Sequence, residues 1–260
     1  IGNARSKELL NSSIPKIIAP GYLTKKREEN RKIIEELQSD INTLSSSKEF
    51  DLYARQTYLD NIIRGGYPVI FGSNSTSPVF YLYARKHGDL ERDYNKFQLS
   101  PTYFSQGNGN YRDMNQNRRC DVWFNPNIKD ENVLTFFNFL QTDGFNPLII
   151  KGASFTLKDT ADFKSVIKDL VSEGDSIKIL TLLEKPFTPG ETILFMQEYK
   201  IKLKVSYDEF MSILLSHCLK NQEAEHGEGF WIDHWTYNLD LLESYLGVYP
   251  EDLKEIIFDK

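Results

Sequence analysis

The sequence predicts a mainly α protein built from antiparallel helix pairs, with irregular segments gathered at one end to form a site. Three observations carry this. Apolar residues recur at helical spacing in several windows, start and stop signals bracket those windows, and long stretches rich in Gly, Asn, Ser and aromatic residues lie between them.

Residues 1–50 read as a connector arm: a loop with Pro15 and Pro20, a charged helical stretch from Thr24 to Ile41, and the serine run Ser45 to Ser47. From Asp51 the spacing of Leu52, Tyr53, Tyr58, Leu59, Ile62 and Ile63 predicts a helix that delivers Arg64 to a turn at Gly65-Gly66. Residues 67–126 read as long loops, with the run Pro78 to Ala84 as the obvious extended or buried element. Loops of that length in a compact domain are usually functional. After Pro126 the helical period returns at Leu134, Phe137, Phe139 and Leu140, and Asp143-Gly144 is expected to end it. Asn146 to Phe155 is a short apolar run. Thr156 to Asp159 can start a helix with Phe163, Val166, Ile167, Leu170 and Val171 as its buried stripe. Ser206-Tyr207-Asp208-Glu209 has the pattern of a capping box, with Phe210, Ile213, Leu214 and Cys218 facing inward. Leu239 to Leu246 forms another helix, stopped by Gly247, and Pro250 sits where a first turn begins the next.

Thirty-one basic against 37 acidic residues give a formal charge of −6, so there is no electrostatic reason to expect nucleic acid or an anionic membrane as partner. No window approaches the roughly 18 apolar residues of a membrane helix, and no signal peptide pattern opens the chain. Cys120 and Cys218 lie far apart with no CxxC spacing, and the histidines show no HxxxH, so neither a disulfide framework nor a metal site is indicated. A reducing, cytoplasmic home is the expectation. Opening on Ile1 and closing on Asp259-Lys260 just after a helical run, the chain reads as an internal piece of something longer.

Two constellations could carry chemistry. Ser105 to Arg119, SQGNGNYRDMNQNRR, packs one carboxylate, three arginines, two glutamines and four asparagines into 15 residues, with Tyr111 and Met114 its large apolar members. A sugar offers a ring of hydroxyls, each both donor and acceptor, and a pocket for it needs many planar amide and carboxylate groups in fixed directions. The competing reading is an Asn/Gly-rich turn that satisfies its own backbone. Glu225 to Trp235, EHGEGFWIDHW, sets Asp233 among Phe230, Trp231, Ile232 and Trp235, an apolar sequence neighbourhood of the kind that favours a neutral acid. Trp231 can stack on a pyranose face, with Trp235 or His234 beside it. Here the competing reading is an aromatic core stretch in which Asp233 caps the following helix.

These residues resemble the cellobiose phosphorylase-like inverting glycoside phosphorylases and their large relatives acting on longer β-glucan oligosaccharides. That family carries an R-D-S-x-Q-D type motif, which Arg112-Asp113-Met114-Asn115-Gln116-Asn117 resembles, and a later W-N-D motif, which Trp231-Ile232-Asp233 resembles. Order and separation are similar, with 120 positions between Asp113 and Asp233. Met114, Asn117 and Ile232 depart from the family pattern. The resemblance covers about residues 51–249 and implies that residues 51–260 form the N-terminal part of an (α/α)6-type catalytic barrel with long irregular active-site loops. Arg112 and Asp113, assisted by Gln116, would hold the terminal glucose; Trp231 would shape that subsite, and Asp233 would be the general acid. No cofactor is implied beyond inorganic phosphate as co-substrate, and most phosphate-binding residues would lie C-terminal to this chain. The implied partners are a β-linked gluco-oligosaccharide, phosphate, the rest of the parent chain and, in some arrangements, a second copy in a homodimer.

The reaction implied is reversible phosphorolysis, in which phosphate attacks the anomeric carbon with inversion and gives α-glucose 1-phosphate. A phosphorylase needs no base to activate water. The first rival, an inverting hydrolase, does need one, and Glu223, Glu225 and Glu228 are the carboxylates near enough in sequence. The second rival is a non-catalytic helical carbohydrate-binding module.

Overall fold

The computed structural model describes residues 6–72, 77–82, 102–226 and 231–258. It is mainly helical, as the periodicity predicts, and it divides into two compact units, residues 1–62 and 63–260.

The first unit holds α1 (Lys7–Ile17), α2 (Tyr22–Gln38) and most of α3 (Lys48–Gly65). The loop expected around Pro15 is helical instead. Ser6 accepts the Leu9 amide at 3.1 Å and starts α1, and Pro15 falls near its last turn, where little helix remains to be broken. Gly21, at φ +83°, makes the left-handed corner into α2. Neither α1 nor α2 buries a residue, and α2 is laced with exposed pairs such as Lys26–Glu29 and Arg31–Glu28, which stabilise little.

In the second unit, β1 (Tyr67–Ile70) pairs antiparallel with β2 (Val79–Leu82), Tyr67 opposite Leu82. The stretch expected to be loop through Pro126 also contains β3 (Gly109–Asn110), α4 (Tyr111–Arg118) and α5 (Asp121–Phe124). Next come α6 (Glu131–Phe137), which ends before Asp143-Gly144, then β4 (Ile149–Ile150) and β5 (Ser154–Leu157). Asp159 caps α7 (Thr160–Leu170), Ser172 caps α8 (Glu173–Leu182), Thr188 caps α9 (Pro189–Glu198) and Ser206 caps α10 (Tyr207–Ser216). The reciprocal capping box forms at Thr188 and Glu191. Cys218, expected on the inner face of a helix, is buried at the start of β6 (Cys218–Asn221), which pairs with β5. Then follow β7 (Ala224–Glu225), α11 (Ile232–Val248) and α12 (Leu253–Phe258), the last entered through a 3-10 turn at Pro250.

Two hydrophobic clusters fill this unit, and β2 runs between them. Its alternation sends Phe80 into one and Val79 and Tyr81 into the other, as the two-residue period of a strand requires. The first cluster, around Phe155, Phe163, Ile167, Phe210 and Leu214, joins α7–α10 to the β5–β6 pair. The second, around Tyr111, Met114, Phe136, Ile150, Leu241 and Tyr245, joins α4, α6, β4 and α11. Each fully buried aromatic or aliphatic side chain contributes roughly 1.5–3 kcal/mol. The second cluster is the floor of the candidate site.

Gly247 does not stop α11. It lies within the helix, and a Cβ there would come 2.7 Å from Trp123 Cζ2, so its service is to let α5 approach α11 closely.

Candidate functional site

A small antiparallel ladder in the order β3-β4-β7 brings the two sequence constellations together. Gly109 pairs with Ile150 and Asn110 with Ile149; Ile149 pairs in turn with Glu225. β3 runs directly into α4, and β7 precedes α11 in the chain. Residues 227–230, which include Glu228 and Phe230, lie outside the described residues, as does His87.

Within the polar run, Tyr111–Arg118 is therefore helical, while residues 105–108 form no regular element and asparagine side chains do bond the run's own backbone. Asn110 Oδ1 accepts the amides of Arg112 (3.1 Å) and Asp113 (3.4 Å), and Tyr111 N–H donates to Leu148 O at 3.0 Å. Tyr111, Met114 and Arg118 are buried at i, i+3 and i+7, the helical period hidden inside a polar composition. A Cβ on Gly109 would stand 1.8 Å from Met114 Sδ, so the corner between β3 and α4 requires glycine.

Arg112 and Asp233 meet, with Nη1 and Oδ2 3.9 Å apart and the two side chains 41% and 46% exposed. Arg112 Nε also reaches Asp113 Oδ1 at 3.4 Å. Asp113 is buried, and its Oδ2 has no hydrogen-bond partner among the described residues. A buried polar oxygen left unpaired costs on the order of 1–3 kcal/mol, so Asp113 is held here at a cost to stability. Gln116 is exposed, on the same helix face as Arg112 and Asp113 by its spacing.

Asp233 lies in the first turn of α11, which starts at Ile232, seven residues before the Leu239 expected. It is not the N-cap of that helix, which is Trp231, and the Trp231 side chain makes no capping hydrogen bond. Of the apolar neighbours expected around Asp233, Ile232 is 75% exposed and Phe230 lies outside the described residues, and a guanidinium faces the carboxylate. Trp231 is half-buried and stacks on His234, with centroids 6.1 Å apart at 20°.

Under α4 and α11 lies a buried polar layer that sequence reasoning missed. Tyr111 OH lies 2.9 Å from Phe136 O and 3.0 Å from Asn238 Oδ1, and Asn115 Nδ2 also donates to Asn238 Oδ1. Burial pushes the Tyr111 phenol well above its ordinary range. Asn115 Oδ1 and Asn238 Nδ2 are buried without a partner among the described residues.

A second cluster sits at the other end of α4. Tyr81 OH donates to Asp121 Oδ2 at 2.9 Å and accepts from Asn132 Nδ2 at 2.6 Å. The Arg118 guanidinium lies 3.6 Å over the Tyr81 ring while its Nε donates to Gly65 O. Desolvation pushes the Asp121 carboxyl up to about 7, against the lowering effects of the Tyr81 hydroxyl and Arg118. Only the close spacing of Arg118 and Asp121 was visible in the sequence; Tyr81 arrives from a strand.

Among the proposed hydrolase bases, Glu223 and Glu225 pair with Lys151 at 3.2 and 3.4 Å and are well exposed. Among the described residues no group of three or more His, Cys, Asp or Glu could hold a metal ion, and no helix is long and apolar enough to cross a membrane. Comparison of the chain with protein-family models, with curated proteins and with solved structures gave no match.

Proposed function

We propose that this chain carries the terminal-sugar subsite and the general acid of an inverting glycoside phosphorylase, which cleaves a β-linked gluco-oligosaccharide with inorganic phosphate and releases α-glucose 1-phosphate. The observation that carries the reading is the approach of Arg112 to Asp233 at 3.9 Å across the α4–α11 seam. Two motifs that are weak separately thereby share one surface. Arg112 supplies donors to sugar hydroxyls, with the largely buried Asp113 carboxylate holding it from below, Gln116 extends that face of α4, and Trp231 offers a ring for stacking.

In this reading Asp233 protonates the glycosidic oxygen as the leaving sugar departs. Its carboxyl is half exposed and faces Arg112, on the surface where the sugar would lie. Phosphate attacks the anomeric carbon from the opposite face, and the positive charge developing on the sugar is held by the hydroxyl contacts. The second unit would belong to an (α/α)6 barrel in a cytoplasmic enzyme.

Incubation of the intact parent protein with β-1,2, β-1,3 and β-1,4 gluco-oligosaccharides, with and without phosphate, tests the reading. Phosphate-dependent glucose 1-phosphate is expected, reduced by about 10²-fold or more in Asp233→Asn. Glucose released without phosphate would replace the reading with a hydrolase, and sugar binding without any product would leave a binding module.

A further inference from the structure

His234 belongs to neither motif, yet three segments meet on it. Its ring is 3% exposed. Trp231 stacks against it from one side, and Tyr111, the first residue of α4, lies 5.4 Å away at 30°. Its Nδ1 is 2.6 Å from Oδ1 of Asn146, in the segment that leads into β4. An amide oxygen only accepts, so Nδ1 carries the proton and donates it. Burial pushes the imidazole pKa down to about 4, aided by Arg112 and opposed by Asp233, so the ring is neutral across the ordinary pH range.

We infer that His234 is the positioning residue of this site: its ring, seated between Tyr111 and Trp231 and tied to Asn146, fixes the first turn of α11 so that Asp233 faces Arg112. The inference rests on the reading of Asp233 as the general acid. Trp235 fastens the same turn through Nε1 to Gly144 O at 3.3 Å, but that bond reaches only the loop before β4. His234 also touches α4, so it links the helix that carries Asp233 to the helix that carries Arg112. A histidine that merely fills core volume would be replaceable by any ring of its size. A positioning histidine is not, because Asn146 Oδ1 would lose its donor.

The test uses two variants and two readouts. His234→Phe keeps a ring and loses the donor; His234→Asn loses the ring and keeps an amide donor close to the Nδ1 position. The first readout is the emission of Trp231, taken as the difference between a Trp123→Phe background and the same background carrying Trp231→Phe, so that Trp235 keeps its bond to Gly144 O. A protonated imidazole quenches a stacked indole more strongly than a neutral one, so emission is expected to stay flat from about pH 8 to about pH 5. A quenching step near the ordinary histidine value, about 6.5, would overturn the seating. The second readout is affinity for a β-gluco-oligosaccharide, measured beside thermal stability. His234→Phe is expected to weaken binding at least tenfold, with partial recovery in His234→Asn, whatever the order of their melting temperatures. Equal affinity of wild type and His234→Phe, or affinities that simply follow melting temperature, would overturn the proposal. If the wild type binds no gluco-oligosaccharide, the glycoside reading fails, and with flat Trp231 emission the seat of His234 is upheld independently of it.

Discussion

Asp121 and His234 pull the pH dependence of stability in opposite directions. The carboxyl of Asp121 is raised from 3.8 to about 7, so between those values the folded chain holds a proton that the unfolded chain has released. Its contribution to stability falls as pH rises through that window. The imidazole of His234 is lowered from 6.5 to about 4, so in that range the unfolded chain holds the extra proton, and stability rises with pH. Each slope is at most about 1.4 kcal/mol per pH unit, and over the shared range they offset one another. Urea unfolding of Asp121→Asn is therefore expected to show stability declining as pH falls from 6.5 to 4. His234→Phe is expected to show stability declining as pH rises from 4 to 7. The wild type should be flatter than either, and parallel profiles for all three would refute the assignment. Gly109 gives a second check at this scale. Gly109→Ala drives a methyl into Met114 Sδ and should cost about 1–3 kcal/mol. In a Met114→Ala background the same change should cost much less, which a double-mutant cycle by thermal unfolding would read directly.

Among the elements, legibility followed the strength of the local pattern. α7 and α10 have polar caps and continuous apolar stripes, and both were placed within a few residues. α4 was taken for loop because seven of its eight residues are polar or aromatic-polar and its period is completed by a buried arginine, Arg118. No pattern built on hydrophobicity counts an arginine as core. Its cation is accommodated by the Tyr81 ring and the Gly65 carbonyl, both brought from outside the helix. α11 began seven residues early because its first two turns carry Asp233, His234, Tyr237 and Asn238 among their apolar members, and the two residues buried there, His234 and Asn238, are polar. The same bias explains the site. Arg112, Asp113, Trp231 and Asp233 were visible as a composition. Asn146 and Asn238 were not, since their value lies in partners about ninety and over a hundred positions away.

For the whole molecule, the two units differ in how they are held. The first buries nothing on α1 or α2 and exposes Leu9, Leu10, Ile14, Ile17 and Ile18, whereas the second has two clusters of its own. A chain beginning at Lys48 is expected to keep a single cooperative thermal transition, with a midpoint within about 4 °C of the full chain, a shift equivalent to about 1 kcal/mol or less. Loss of the transition would show that the arm is required for the fold. The sequence made the helical class readable through its repeated periods. It did not reveal that one strand, β2, separates two cores, because that depends on which neighbours each face finds.

The ladder β3-β4-β7 also sets a timetable. As a nascent chain emerges, the corner that carries Arg112 appears early, and its pairing partner Ile150 follows some forty residues later. The third strand, Ala224–Glu225, emerges only after four further helices have been made. Ring closures of that length are slow to nucleate. The apolar core of α7–α10 therefore has time to condense first, and the polar surface where Arg112 meets Asp233 is among the last parts of the chain to be assembled.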